Sequence, residues 1–75
     1  MDLKPCKTMK RERIGRGWTQ AELARRTGIN RVDITLLELG GRQAFPGWRR
    51  RIAKAFRMKE TDLFPEVLGD GENEA

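Results

Sequence analysis

Apolar residues recur every three to four positions along most of the chain, which is the spacing of helices with one buried face. The pattern is clearest from Thr19 to Gly40, TQAELARRTGINRVDITLLELG. The inward-facing positions of this stretch are Leu23, Ala24, Ile29, Ile34 and Leu37. No segment alternates apolar and polar residues as a strand would. The pattern therefore predicts an all-α domain.

Capping residues divide this stretch into two short helices joined by one tight turn. Thr19 can cap the first helix, and Glu22 three places later can complete a capping box. Gly28 can take the left-handed conformation that ends this helix. Asn30 can cap the second helix, which ends at Gly40. These signals predict helices over about residues 19–26 and 30–39, a helix–turn–helix unit.

Three further helices are predicted around this unit, over about residues 7–16, 47–57 and 60–64. The apolar face of the fourth helix and the end of the fifth consist of Trp48, Ile52, Ala55, Phe56, Leu63 and Phe64. Trp18, just before the Thr19 cap, is interpreted as a core residue. Residues 1–6 are expected to be a loose lead-in and the acidic residues 69–75 a disordered tail. Residues 7–68 then form a single domain.

Charge is distributed unevenly between the two ends of the chain. Residues 60–75 carry six acids and no base, so residues 1–59 hold all sixteen bases against five acids, a net charge of +11. Such a balance favours a polyanionic partner. On the fourth helix, Arg50, Lys54 and Arg57 form a basic row. This row is interpreted as a solvated face, the alternative being that Arg49 or Arg50 contacts phosphates.

Composition argues against other classes of function. The chain has no histidine and one cysteine, Cys6, so neither a metal site nor a catalytic nucleophile with its base is expected. It also lacks a GxxxxGK[ST] phosphate loop. We therefore expect no enzyme and no cofactor. With no apolar run long enough to span a bilayer and no signal peptide, the sequence predicts a cytoplasmic protein without a membrane partner.

Several motifs resemble those of the phage-repressor and Cro-like (XRE) helix–turn–helix family. They are GWTQAELARRTGI, then Ile34, Leu37–Glu38 and Gly40, then RIAKAF and DLFP, together covering roughly Met9 to Pro65. The resemblance implies a compact five-helix lambda-repressor-like DNA-binding domain. It also implies a salt bridge between Arg13 and Glu38. Three features depart from the family pattern: Glu12 stands where a leucine is usual, Arg57 stands where a glycine usually ends the fourth helix, and the loop AFPG does not follow the common spacing of its proline.

The resemblance further implies a sequence-specific regulator of transcription, a repressor-like protein whose helix starting near Arg31 lies in the major groove of double-stranded DNA. The expected base contacts are Asn30, Arg31, Val32, Thr35 and Leu36. The expected phosphate contacts are Thr19, Gln20 and Arg42, with Arg16 and Arg49 as further candidates. A pseudo-palindromic operator and a homodimer would follow. Dimer contacts are expected either near Leu63, Phe64, Val67 and Leu68 or from the outward apolar side chains of the recognition helix itself.

The outward side of the recognition helix is unusually apolar. Stepping 100° per residue from Ile34 places Val32, Leu36 and Leu39 about 140–200° away from it. These side chains could pack on thymine methyl groups. Alternatively, because a helix that is apolar on both sides normally has a partner on each, they could bind a protein, as in an adaptor or an antitoxin. Both interpretations stay open at the level of sequence.

Overall fold

The computed structural model describes residues 3–69, and every regular element in them is a helix. The helices are α1 (Lys7–Gly15), α2 (Gln20–Thr27), α3 (Arg31–Leu39), α4 (Pro46–Phe56), α5 (Glu60–Leu63) and α6 (Pro65–Leu68). The all-α prediction is confirmed. Within the described residues, no helix has the length and apolar content needed to cross a bilayer.

The count of five helices was wrong, because a short sixth helix begins at Pro65. The predicted fifth helix ends at residue 64, just before Pro65, but proline is favoured at the first position of a helix, where its missing N–H is not needed. The same preference explains why α4 begins at Pro46, one residue earlier than predicted. The starts of α2 and α3 fall one residue later than predicted, since the capping residues Thr19 and Asn30 stand outside the helices they cap. The ends of α1, α2, α4 and α5 also differ from the prediction by one residue.

The turn between α2 and α3 is built as the sequence predicts. The Thr19 hydroxyl accepts a hydrogen bond from the Glu22 backbone N at 3.0 Å. Gly28 ends α2 with φ of 75°. The Asn30 side-chain oxygen then accepts from the Val32 backbone N at 2.8 Å, which caps α3. Local hydrogen bonds alone therefore set where both helices begin.

Only half of the predicted capping box forms. The Glu22 carboxylate pairs with Arg25 and Arg26 one turn further along α2, rather than returning to Thr19. The hydrogen bond from Arg25, helped by the charges of Arg25 and Arg26, holds the pKa of Glu22 below its ordinary value. Two arginines within reach at i+3 and i+4 therefore compete successfully with the backbone amide of the cap.

One hydrophobic core joins the helices. Its buried members are Cys6, Met9, Leu23, Ile29, Ile34, Leu37, Ala44, Ile52, Ala53, Phe56, Leu63 and Phe64. Trp18 packs against this core, with its ring centroid 5.0 Å from that of Phe56. The Arg26 guanidinium lies over the outer face of the same indole, 4.2 Å from its centroid. Trp18 is thus a covered core residue, as its position suggested.

Helix α1 has two apolar residues, Met9 and Ile14, and only Met9 faces the core. Ile14 is 56% exposed, whereas Met9 and Arg13 are buried. Glu12 is half-buried and pairs with Arg16 instead of occupying the inward face. Arg13 has a buried partner on α3, and the rotation of α1 that satisfies this charge leaves Ile14 outside.

Pro5 and Cys6 belong to the fold, so the predicted loose lead-in is wrong at these two residues. The Cys6 backbone N donates to the Leu37 carbonyl at 3.0 Å, and its side chain is only 1% exposed. Pro5 lies so close to Gly40 that a Cβ there would be 3.0 Å from the proline nitrogen. Residues 1–2 of the lead-in and 70–75 of the tail lie outside the described residues.

Helix α6 is joined to the start of α1 through one carboxylate. Glu66 Oε2 accepts from the Thr8 backbone N at 2.9 Å and from the Thr8 hydroxyl at 2.6 Å. Cys6, the residue before α1, offers no side-chain cap of its own. Glu66 therefore caps α1 from a distant part of the chain, and its charge suits the positive end of that helix.

Helix α4 ends at a strained residue. Arg57 has φ of 58°, the left-handed conformation in which glycine is the usual residue. A side chain in this conformation costs about 1 kcal/mol relative to glycine. An arginine at this position therefore has a backbone cost that a glycine would not have.

Candidate nucleic-acid interface

Helix α3 is held mainly by α2, with further contacts to α1. Leu23 of α2 and Ile34 and Leu37 of α3 are all fully buried in the contact. The turn itself is closed by Thr27, whose hydroxyl donates to the Leu23 carbonyl at 2.8 Å and accepts from the Ile29 backbone N at 3.2 Å. The orientation of α3 is therefore fixed by packing on one side and by hydrogen bonds at its entry.

A polar network lies beneath α3 and comprises Arg13, Glu38, Gln20 and Thr35. Arg13 Nε donates to Glu38 Oε2 at 2.7 Å, and Arg13 Nη2 donates to Oε1 at 3.1 Å. The anticipated ion pair between these residues is thus present and bidentate. Their side chains are only 10% and 2% exposed. Because the pair is buried, it ties the rotation of α1 to that of α3.

Gln20 extends the polar network to the outer side of α3. Its Nε2 donates to Glu38 Oε1 at 3.0 Å, and its Oε1 accepts from the Thr35 hydroxyl at 2.8 Å. Gln20 was expected to hold a phosphate, yet both ends of its amide are engaged inside the protein. The Glu22 backbone N is taken by the Thr19 cap, so the backbone N–H groups of Gln20 and Ala21, which helix geometry leaves without an intrahelical partner, are the ones that remain for that role.

The N-terminal half of α3 presents its side chains to solvent. Asn30, Arg31 and Val32 are exposed, Val32 to 58%. The Asn30 oxygen is occupied by the helix cap, which leaves its amide nitrogen as a donor. Arg31 makes no ion pair with any residue in 3–69. An unpaired guanidinium, an amide donor and a methyl-bearing side chain therefore stand together at the beginning of this helix.

The other two predicted base contacts, Thr35 and Leu36, are half-buried. The Thr35 hydroxyl lies within bonding distance of Gln20 and of the Arg31 carbonyl. Leu36 packs against Gly41, where a Cβ would lie 3.1 Å from the leucine Cδ2. The apolar stripe is therefore not uniformly exposed: Val32 and the 68% exposed Leu39 are open, whereas Leu36 between them is partly covered by the following loop.

The predicted phosphate contacts are largely engaged within the fold. Thr19 uses its hydroxyl as a helix cap. Arg42 lies 3.5 Å from Asp33 and stays about half exposed. Arg16 pairs with Glu12, donates to the Phe56 carbonyl and stacks on that ring. Arg49 donates to the Ala44 carbonyl and to Glu60, and its side chain is only 15% exposed. Of these three arginines, Arg42 retains the most accessible charge.

The positive charge that remains unpaired is concentrated away from α3. Ten bases among residues 3–69 are exposed and make no ion pair there: Lys4, Lys7, Lys10, Arg11, Arg31, Arg50, Arg51, Lys54, Arg57 and Lys59. Helix α3 carries one of these, and α4 with its C-terminal capping residue carries four. The sequence pattern indicated Arg50, Lys54 and Arg57. It did not indicate Arg51, because the helical angle places that residue to one side of the other three.

The residues proposed for dimer contacts separate into two groups. Leu63 and Phe64 are fully buried in the core, so they are not available at the surface and that part of the prediction was wrong. Val67 is 37% exposed, and Leu68 is half-buried. Leu63 and Phe64 lie in the core because α5 packs against α1 and α4.

Comparison with other proteins adds no assignment to this geometry. No family model and no curated protein sequence matches the chain. The arrangement of α2, α3 and the exposed charges is therefore the basis for assigning a function.

Proposed function

We propose that the protein is a sequence-specific DNA-binding regulator of transcription with a lambda-repressor-like arrangement of helices. In this proposal the N-terminal half of α3 enters the major groove. The observation that carries it is the combination of an exposed Arg31 at the start of α3 with the rigid support of that helix by the core and the polar network. Regulation would act through occupancy of an operator.

The chemistry of the exposed residues supports base recognition. Arg31 can make a bidentate contact to guanine, and the Val32 methyl groups can pack on a thymine methyl group. The Asn30 amide nitrogen can donate to a phosphate or to a base acceptor. Thr35 and Leu36, being half-buried, would contribute at the edge of the contact. Such contacts need a helix that does not rotate, which the bidentate pair of Arg13 and Glu38 provides.

Affinity would come mainly from phosphate contacts. The ten exposed bases without ion pairs in residues 3–69 are available to displace counterions from DNA. The backbone amides at the start of α2 can hold a further phosphate at the positive end of that helix. A domain this small reads few base pairs, so binding as a homodimer to a pseudo-palindrome would supply the remaining specificity.

Selection of binding sites from a random duplex pool tests the proposal. We expect an enriched pseudo-palindromic sequence, and Arg31→Ala should weaken binding to it by about 1–3 kcal/mol and relax the preference at one position. Arg11→Ala is the matched control, since Arg11 is an exposed arginine on α1. Equal losses on all DNA sequences would reduce Arg31 to a phosphate contact, and no enrichment at low salt would refute the proposal.

The exposure of Val32 and Leu39 favours one other candidate, a protein-interaction module such as an adaptor or an antitoxin. Leu39→Glu separates the two functions, because Leu39 lies at the far end of α3 from Arg31 and is 68% exposed. Loss of self-association or partner binding with DNA binding intact would assign the apolar stripe to protein. Loss of DNA binding alone would assign it to the groove.

A further inference from the structure

We propose that the α4 basic row, defined as Arg50, Arg51, Lys54 and Arg57, is a second DNA-binding surface that holds the phosphate backbone independently of sequence. The proposal takes its ligand from the proposed function, but it concerns a surface distinct from the outer face of α3. Its chemical basis is the placement and the unmet charge of these four side chains.

The row occupies the outward face of α4. With Ile52 as the inward direction, Arg50 and Lys54 lie about 160–200° away and Arg51 about 100° away. All four residues of the row are exposed. From Arg50 to Arg57 the row spans about 10 Å along the helix axis, which equals the rise of about three base pairs along the axis of a DNA duplex.

No carboxylate in the described part of the chain neutralises the row. Helix α4 itself, PGWRRRIAKAF, contains no acid. Six of the seven carboxylates in residues 3–69 are bonded to other groups, and Asp62 forms no ion pair within those residues. By contrast, Arg49, one position before the row, is satisfied by Ala44 and Glu60. The fold therefore pairs the inward arginine of α4 and leaves the outward ones unpaired.

Two features of the row lower the stability of the isolated domain. Lys54 has like-charged neighbours at i−4, i−3 and i+3, namely Arg50, Arg51 and Arg57, and such pairs destabilise a helix. Arg57 adds the strain of a left-handed backbone. A bound polyanion would relieve the repulsion. Residues that destabilise the isolated domain and cluster on one exposed face are expected at functional surfaces. A face that is only solvated would mix both signs of charge.

The row and α3 lie on helices whose principal neighbours differ. Helix α4 packs against α2 and α5, whereas α3 packs against α2 and α1. Neutralising the row therefore leaves the buried contacts and the polar network under α3 in place. This separation allows sequence preference and overall affinity to be changed one at a time.

The test compares two triple variants of the full chain. Arg50→Gln/Arg51→Gln/Lys54→Gln removes three charges from the row. Lys7→Gln/Lys10→Gln/Lys59→Gln is the matched control, because it removes three exposed charges elsewhere. Binding to a random-sequence duplex of about 20 base pairs is measured by fluorescence anisotropy over a salt series, and thermal unfolding verifies that both variants fold. We expect the row variant to lose at least about tenfold in affinity and 2–3 units of salt slope.

We also expect the control variant to lose only a few-fold in affinity for DNA, and the row variant to keep its preference for a selected site over random DNA. Equal losses in the two variants would overturn the proposal, since net charge alone would then explain them. Binding of wild-type protein to phosphatidylserine-containing vesicles through the row, with an unchanged DNA salt slope, would also overturn it. If no sequence is preferred but the row variant still loses affinity selectively, the second surface stands and the proposed base-reading role of α3 fails.

Discussion

The substitution Arg13→Met tests whether the buried ion pair holds α1 and α3 together. Methionine keeps much of the aliphatic volume of arginine but removes the guanidinium. That group donates to both carboxylate oxygens of Glu38 and, at 2.8 Å, to the Trp18 carbonyl. Without it, Glu38 is a carboxylate with 2% side-chain exposure whose remaining side-chain donor is Gln20.

Removing one partner of a buried ion pair costs about 3–5 kcal/mol, because the other charge stays buried without compensation. A domain of 75 residues has a total stability of about 4–11 kcal/mol. Arg13→Met is therefore expected to consume a large part of the free energy of unfolding. The loss should fall on the contact between α1 and α3, which the network serves.

Urea denaturation followed by tryptophan fluorescence measures this loss, with Arg25→Met as the control. Arg25 also pairs with a glutamate, but its side chain is 71% exposed, so its removal should cost far less. The double variant Arg13→Met/Glu38→Met buries no charge and should be more stable than Arg13→Met alone. The reasoning is refuted if Arg13→Met costs no more than Arg25→Met, or if the two substitutions at the buried pair are additive.

Two further predictions concern Arg57 and Cys6. Arg57→Gly should stabilise the protein by about 0.5–1 kcal/mol by removing the strain of φ 58°, as denaturation would show, whereas Arg50→Gly within α4 should destabilise it. Burial, with smaller effects of Glu66 and Glu38, raises the pKa of the Cys6 thiol from 9.0 to about 11. The folded state binds this proton more tightly than the unfolded state does. The contribution of the thiol to the free energy of unfolding is therefore fully present below pH 9 and is lost between pH 9 and 11. At about pH 10.5 wild type should have lost about 2 kcal/mol more than Cys6→Ala; equal losses would contradict the assignment.

Interactions within one or two turns of helix were readable from the sequence. Thr19 and Asn30 cap the helices that their residue types indicated, and Gly28 and Gly40 end them with positive φ. Ile34 and Leu37 face inward, as their spacing required. These features depend on residues no more than about four positions apart, whose relative geometry is set by the helix itself.

The candidate interface could be predicted only in part. The exposure of Val32 followed from its helical angle, whereas Arg31 is exposed in the first turn of α3 although that angle places it only about 60° from Ile34. The covering of Leu36 by Gly41 did not follow from the helical angle. Leu36 and Gly41 meet because the chain bends back after α3, and no periodicity encodes that bend. The hydrogen bonds of Gln20 with Glu38 and Thr35 could not be predicted either, because they form only when α2 packs against α3.

By itself, the sequence determined an all-helical domain with a capped helix–turn–helix and an excess of positive charge outside its acidic C-terminal end. Tertiary structure alone decided which polar groups meet partners from distant parts of the chain. Glu66 caps α1 across 58 positions, and Glu38 neutralises Arg13 across 25. It also decided that Arg49 is engaged while Arg50 and Arg51 are left unpaired. The physical reason is that a charge or donor takes the nearest suitable partner in space, and that distance exists only after the helices have packed.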